Sequence, residues 1–572
     1  MTLTDRAEPL ARLAIERTRA LMPSRADFKT MRRQPRRDIV AGITVAVVAL
    51  PLALAFGLSS GRGAEAGIVT AIIAGLLAAL FGGSNLQISG PTGAMTVVLV
   101  PIVARFGPDG ILVVGLMAGM ILVGLAYARA GRYIRYVPLP VVEGFTVGIA
   151  IIIALQQVPA ALGVHVTDDK VLAATISAVA AWAAAPDLRP VAVAAAVAAA
   201  MLISARLKPG LPVSLVAVIV ASVAVLASGL DVATIGAIPA GLPMPSLPPI
   251  NAGHLPDLVV PAFAVAALAA LESLLCATVA DGMSVGEQHD PDRELFGQGV
   301  ANLVVPLFGG IPATAAIART AVNVRSGAHS RLAAITQSGA LLVVVAVAAQ
   351  LVGFIPLAAL AGVLIATAIQ MVEVSSLRAL LGSTRGDAAA LLITAGATIL
   401  LDLVSAVILG LIVAGAFALQ QMARSARLDE IELDHADHTV EEQELFEERI
   451  VAYRLDGPLF FGVAHSFLLE LTELSEVRVV VLRMSRIATL DASGASVLAD
   501  TIRKLEAKGI TVILSGVRPE HVSVLQRLGV FAEMGGDRHV FDHTPEAIAH
   551  ARTHARRSEA AAAQAPGGPA AA

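Results

Sequence analysis

Charge is scarce in this chain. Of its 572 residues only 15% are charged, against 56% hydrophobic, and the mean hydropathy is +0.77. An ordinary soluble chain is about a quarter charged, so these values exclude a soluble globular protein and leave a polytopic membrane protein. The net charge of −4 is too small to point to a nucleic-acid partner. Cysteine is nearly absent: a single residue, Cys276, excludes an internal disulfide, so nothing implies an oxidising compartment. No Gly-Lys-Ser/Thr sequence occurs, hence no phosphate-cradling Walker loop, and ATP is not expected to drive the protein directly. His254, His289, His329 and the histidines of the C-terminal tail show no metal-ligand spacing, so neither a metal nor a cofactor is expected. Residues 1–37 are polar and charged, ending in the cluster MRRQPRR, and no cleavable signal peptide is read there.

What the chain does have is apolar runs, almost without pause, from Asp38 to about Ala423. A membrane span takes roughly 20 residues at a helical rise of about 1.5 Å. Runs near 39–58, 66–82, 91–106, 110–130, 141–162, 190–206, 211–228, 257–282, 294–308, 313–326, 332–352, 356–372, 386–403 and 405–422 give about 14 spans. The stretch 171–185, with Trp182, reads as an interfacial helix or part of a longer sixth span. Basic residues favour the cytoplasmic side. With Arg32, Arg33, Arg36 and Arg37 placed there, the loops after even spans hold Arg129, Arg132, Arg135, Arg206, Lys208, Arg293, Arg331, Arg378, Arg385, Arg424 and Arg427. The opposite loops hold only Arg62, Lys170 and Arg189. An even count with both ends cytoplasmic follows, and the preference for Arg and Ala over Lys fits a bacterial inner membrane.

An internal repeat is visible. The third run opens with ISGPTGAM (88–95) and the tenth with GIPATAAIA (310–318), each a Gly/Pro break followed by small residues and a short helix. Both are third within their half if each half has seven spans, and an odd number forces the second half to run inverted. Paired Gly/Pro-interrupted segments at corresponding positions point to a transporter binding site. Two helix N-termini facing each other near the midplane, each with about half a positive charge, would attract an anion. The other reading is two ordinary turns at a membrane surface. Close by in sequence, the apolar helix AVAALAALESLLCATVADGM carries Glu272, and Arg319 follows the second break. An ionisable residue inside a membrane helix is costly and is a functional candidate by default.

After Ala423 the composition changes. An acidic linker (424–448) precedes a small α/β unit at 449–552, in which RIVAYRLDG, VRVVVLRMS and GITVILSGV read as strands. ASGASVLADTIRKLEAKG and PEHVSVLQRLGV read as helices, and the Ala/Gly/Pro-rich tail at 553–572 is expected to be disordered.

The segments SGPTGAM (89–95), ESLLCATVADGM (272–283), GQGVANLVVPLFGGIPATAAIARTAVNVRSGA (297–328) and LDASGASVLADTI (490–502) resemble the sulfate permease (SulP) family of anion transporters, whose membrane part carries a C-terminal STAS domain. The resemblance covers nearly the whole chain, and ESLLCA is most similar to the bacterial C4-dicarboxylate branch. It implies an α-helical polytopic membrane protein with a 7+7 inverted repeat split into core and gate domains, followed by a cytoplasmic α/β STAS domain. It also implies an anion site of Thr92, Gly93 and Ala94 on one side and Ala316, Ile317, Ala318 and Arg319 on the other, closed by Leu52 and Phe56. Glu272 matches the family's acidic coupling position; the alternative role is a helix-gluing partner for Arg319. Sodium-coupled bicarbonate members carry Asp there, with threonines where this chain has Cys276 and Ile317. Neither supplies a hard oxygen, so proton coupling through Glu272 is expected instead. In the STAS domain, relatives have Asp-Ser-Ser-Gly with the first serine phosphorylated; here Asp491-Ala492-Ser493-Gly494 puts alanine at that position. Asp491 and Ser493 are nevertheless the candidate regulatory residues, in a loop between a buried strand and a helix, and the domain is expected to mediate homodimerisation or to bind a cytoplasmic protein. The function expected is secondary active transport of a small anion, sulfate-like or a C4-dicarboxylate, with protons as partner, and not an enzyme. The alternatives are an uncoupled exchanger or channel, a sodium-coupled bicarbonate transporter, and a STAS-based membrane scaffold.

Overall fold

The computed structural model describes residues 16–166, 170–207, 213–249, 253, 255–284, 288–401, 403–425, 427–430, 449–459, 477–534 and 536–563. It divides into two compact units, Met1–Ala414 and Gly415–Ala572.

In the first unit the apolar runs become helices: α1 (Pro35–Ser59), α2 (Ala64–Phe81), α3 (Gly93–Tyr127), α4 (Leu139–Gln156), α5 (Val171–Ala184), α6 (Leu188–Leu207), α7 (Val213–Ser228), α8 (Leu255–Met283), α9 (Pro291–Val304), α10 (Ile317–Arg325), α11 (Leu332–Gly353), α12 (Leu357–Met371) and α13 (Arg385–Leu400). The helix α14 (Leu403–Ser425) follows. Among the described residues eight helices are long and apolar enough to cross a membrane, and three further apolar helices are shorter. This is a multi-pass membrane protein. The runs read at 91–106 and 110–130 are two helical arms of α3 that meet at Gly107, whose backbone is not helical (φ 74°, ψ 174°) and suits glycine, with Pro108 next to it removing an N–H. The stretch around Trp182 is a helix of its own, α5.

The helices sort into two bundles. In one, α9 packs on α2 and α3, α8 on α3, and α11 on α1 and α2. In the other, α13 packs on α4, and α12 on α6 and α4. Small residues allow the backbones to approach in both. A Cβ at Gly67 would strike the carbonyl of Ala53, and one at Gly144 would strike that of Leu391.

Several charges near the helix ends are buried or paired inside the protein. Asp38 accepts from the N–H groups of His329 (2.7 Å) and Ser330 (3.1 Å), tying the start of α1 to the turn that precedes α11. Arg331, read from sequence as a loop charge, is only 2% exposed and donates to the carbonyls of Ala79 (3.3 Å) and Leu80 (3.2 Å) at the end of α2. Asp27, on the short helix Arg25–Thr30, pairs with Arg293 (2.9 Å) and Arg331 (3.5 Å). Burial pushes its carboxyl up, but the hydrogen bonds from Arg293 and from the Ser24 N–H, with the charge of Arg331, outweigh that and hold it below the usual aspartate range. Arg17 likewise pairs with Asp292 at 2.7 Å, so the segment before α1 is tied to α9.

In the second unit a sheet runs in the order β3 (Arg427–Glu430), β4 (Ile450–Leu459), β5 (Val479–Arg483), β7 (Thr511–Ser515), β8 (Val540–Phe541), with β6 (Ile487–Leu490) also on β4. All these pairings are parallel except β3 with β4. Alternate residues serve opposite faces. Val480, Leu482, Val512 and Leu514 pack with Leu498, Ile502 and Leu505 of α15 (Ala492–Ala507). The helix α16 (Pro519–Arg527) adds Leu525 to that core. Val479, Val481 and Ile513 pack with Ala547, Ala551 and Ala555 of α17 (Thr544–Ala563).

Two boundaries move. The linker expected at 424–448 begins with an ordered strand, β3, because its backbone pairs with β4; residues 431–448 lie outside the described residues. The tail expected to be disordered from 553 is helical to Ala563, since the alanines of α17 fit flat against the sheet; residues 564–572 lie outside the described residues. Asp491 and Ser493 occupy the start of α15. Asp491 is its N-cap, accepting from the Gly494 N–H at 2.7 Å, and Ser493 is exposed in the first turn.

Candidate functional site

The two Gly/Pro breaks meet. Ser89 and Gly90, strand β1, pair antiparallel with Thr314 and Ala315, strand β2, in the register Ser89↔Ala315 and Gly90↔Thr314. The Ala316 N–H extends the ladder to the Ile88 carbonyl at 2.9 Å. Each strand leads directly into a helix, β1 into α3 and β2 into α10, so the inverted repeat brings two helix starts to one place.

Irregular backbone at membrane depth must find partners inside the protein. Here each break is satisfied by side chains from distant helices. Thr70 of α2 accepts from the Ile311 N–H (2.8 Å) and donates to the Ile311 carbonyl (3.1 Å). Asn302 of α9 grips both sides of Ala313, donating to its carbonyl (2.9 Å) and accepting from its N–H (2.8 Å). On the other break, Thr320 of α10 accepts from the Ile88 N–H (3.0 Å) and Asn323 donates to the Leu86 carbonyl (2.7 Å). Gln298 joins the lattice by donating to Ser89 (2.7 Å) and to Glu294 (3.0 Å). Glu294, 2% exposed, also accepts from Gln87 (2.9 Å) and from the Gly83 N–H (3.0 Å). Its carboxyl oxygens are therefore engaged in holding the break. None of these polar residues was singled out in the sequence; their signal is only an Asn, Gln or Thr inside an apolar helix.

The first-turn N–H groups of a helix have no intrahelical acceptor. At α10 the N-cap is Ala316, which has no side-chain oxygen to cap them, and Ile317 and Ala318 are exposed. At α3 the N-cap is Thr92, whose hydroxyl accepts from the Met95 N–H at 3.3 Å, leaving Gly93 and Ala94 at the helix start. That hydroxyl also donates to Glu272 Oε2 at 3.0 Å. The carboxylate of α8 is thus tied directly to the start of α3.

Arg319 is 1% exposed and lies behind β1, donating to the Pro91 carbonyl at 2.7 Å while its Nη1 has no hydrogen-bond partner. Gly90 makes this possible: a Cβ there would come within 2.7 Å of that nitrogen. Glu272 and Arg319 are not in direct contact as an ion pair; the carboxylate's hydrogen-bond partner is Thr92 and that of the guanidinium is the Pro91 carbonyl. Leu52 and Phe56 are buried one turn apart on α1, and Phe56 sits beside Gly93. Ile153, from α4 of the other bundle, presses so closely on Gly93 that any side chain there would collide with it. Ile153 was absent from the sequence-derived set.

Cys276 and Ile317 supply no hard oxygen themselves, but hydroxyls from other positions lie beside the acidic helix. Cys276 donates through its thiol to the Thr320 hydroxyl (3.2 Å), and Ser273 shares a hydrogen bond with Thr314 (2.9 Å) and accepts from the Ala315 N–H (3.3 Å). Three hydroxyls therefore line the same helix contact, supplied by positions that a one-to-one match with threonines does not reach.

Comparison with known proteins gives a consistent picture. Residues 36–394 match the sulfate permease family and residues 445–547 the STAS domain. The candidate sulfate transporter YvdB of Bacillus subtilis is 34% identical over 523 residues, covering 89% of this chain and 97% of its own. The bicarbonate transporter BicA of Synechocystis is 31% identical over 522 residues, covering 87% and 91%. The solved transmembrane domain of a cyanobacterial BicA superposes with a TM-score of 0.59 at 32% identity, covering 67% of this chain and 98% of that one. The structure of SLC26A9 shares the fold, with a TM-score of 0.77 at 15% identity over 92% and 91% of the two chains.

Proposed function

The chain belongs to the sulfate permease family, and on that premise we propose that it is a secondary active transporter of a small oxyanion, coupled to protons through Glu272. Its relatives are transporters rather than enzymes. The observation that carries the proposal is the bond from Thr92 to Glu272, because it joins a titratable group to one of two helix starts that converge on a single point.

The anion sits between the starts of α3 and α10. Gly93, Ala94, Ile317 and Ala318 offer backbone N–H groups, and Arg319 offers its unpartnered Nη1. Leu52, Phe56 and Ile153 form the apolar wall that keeps water out. The Thr92 hydroxyl has one proton to give. With Glu272 ionised, that proton points at the carboxylate. With Glu272 protonated, the carboxylic acid donates to Thr92 Oγ1, and the hydroxyl proton turns towards the anion. Binding one proton thereby adds a donor to the anion site, and binding the anion favours the proton, as linkage requires. The site resides in the cell (inner) membrane, with both chain ends in the cytoplasm, and the STAS domain supports a homodimer or holds a cytoplasmic protein.

A site made mainly of backbone donors suits sulfate-like, bicarbonate and C4-dicarboxylate anions alike. A second reading, sodium-coupled bicarbonate transport, is favoured by the hydroxyls of Ser273, Thr314 and Thr320 beside the acidic helix and by the similarity to BicA. Uptake of a panel of labelled anions into proteoliposomes, first with an imposed pH gradient and then with a sodium gradient alone, separates the two. Accumulation under the pH gradient supports proton coupling; accumulation under sodium alone replaces it with the second reading.

A further inference from the structure

The second unit holds a cluster of three histidines. His550 and His554 are four residues apart on α17, so they project from one face of the helix. They stand one position before Ala551 and Ala555, which lie flat on the sheet, so the histidines fall beside that contact, towards the edge strand β8. His539 ends the single turn Asp537–His539 that leads into β8. The three rings converge: centroids are 5.3 Å apart for His539 and His550, 5.0 Å for His539 and His554, and 4.8 Å for His550 and His554. One ring nitrogen from each lies within 4.8 Å of the others. His539 Nδ1 and His550 Nε2 are buried and have no hydrogen-bond partner. A buried polar atom without a partner calls for a physical reason.

We propose that His539, His550 and His554 form a three-imidazole site for a first-row divalent transition-metal ion, which ties the middle of α17 to the turn leading into edge strand β8 of the STAS domain. Among the described residues the cluster holds imidazoles and no carboxylate, a donor set that does not suit calcium or magnesium, which take oxygen ligands. Imidazole suits zinc, nickel, cobalt and copper. Zinc–nitrogen bonds of about 2.0–2.1 Å in a tetrahedron put ligand nitrogens about 3.4 Å apart, a contraction that rotation of half-buried rings supplies. Three ligands leave a fourth position for water. Packed edge-to-face without a metal, the same rings would keep their two nitrogens unsatisfied, which is why mere ring packing accounts for the cluster less well.

The test uses the full chain, purified without a polyhistidine tag, stripped with chelator and titrated with cobalt and then zinc. The expected result is one ion per chain, with the visible spectrum of tetrahedral, nitrogen-ligated cobalt that zinc displaces. His539→Ala, His550→Ala and His554→Gln should each weaken binding by about tenfold or more, whereas His289→Ala and His543→Ala should bind as the parent does. Equal binding by parent and by the His550→Ala/His554→Ala double variant means an adventitious ion only and overturns the proposal. A readout without substitutions guards against variants that misfold: zinc should protect His539, His550 and His554 together from acylation in the parent, measured by peptide mass spectrometry. Unprotected histidines overturn it equally.

Discussion

The starts of α3 and α10 are built to the same backbone plan, yet they carry opposite chemistry. Each follows a two-residue strand, and the strands pair with each other. At α3 the N-cap hydroxyl is occupied on both sides, by the Met95 N–H and by Glu272. At α10 the N-cap is an alanine, and the charged side chain three residues on folds under the opposite strand to the Pro91 carbonyl. Symmetry of the repeat thus brings two helix starts together, and on the proposed mechanism asymmetry of side chains divides the work: Thr92 on the α3 side links the anion to the coupling proton, while Arg319 on the α10 side adds its charge to the anion site. A symmetric site would bind an anion equally well without linking it to anything.

That division can be broken one side at a time. The largest effect belongs to the α10 side. Ala318→Asp places a carboxylate at the uncapped helix start, and two like charges about 4 Å apart at an effective dielectric near 20 repel by about 4 kcal/mol, about a thousandfold in affinity. Anion binding to the purified variant, measured by calorimetry, should vanish; unchanged affinity would place the site elsewhere. Gly90→Val acts on the same charge from behind, since its side chain would displace the Arg319 guanidinium. Anion affinity should fall by about tenfold, the value of one charge-assisted hydrogen bond, while a melting curve shows the protein still folded. On the α3 side, Thr92→Val removes both the cap and the partner of Glu272, at a stability cost of about 1 kcal/mol. Uptake at saturating anion should drop and its pH profile shift, and Thr92→Ser should restore both. The smallest effect lies outside the repeat: Ser493→Ala, at an exposed first-turn position of α15, should change uptake by less than about twofold.

How far the sequence reached depended on the range of the interaction. The breaks ISGPTGAM and GIPATAAIA were legible because Gly and Pro punctuate locally and the two fell at matching places. The strands and helices of the second unit were legible for the same reason: Val479–Arg483 and Ala492–Ala507 carry their period in a few residues. The partners of the breaks were not. Thr70 and Ile311 are 241 residues apart, and Thr320 and Ile88 are 232 apart, so nothing local marks either pair. Arg331 and Arg293 read only as loop charges, and the sequence could not say that one caps α2 and both hold Asp27. The histidine cluster was missed because its third member comes from a different element; His550 and His554 alone are an ordinary spacing on a helix. Burial and then the charges of His550 and Arg538 hold His539 below the usual histidine range, a consequence of the same convergence.

The measurement that bears most directly on coupling is concentrative uptake by Glu272→Gln. Glutamine keeps the shape of the protonated acid and its donor to Thr92, but it cannot exchange a proton. In proteoliposomes with an imposed pH gradient, the variant should bind the anion and exchange labelled for unlabelled substrate, while losing both accumulation and the pH dependence of transport. Undiminished proton-driven accumulation by Glu272→Gln would contradict the account.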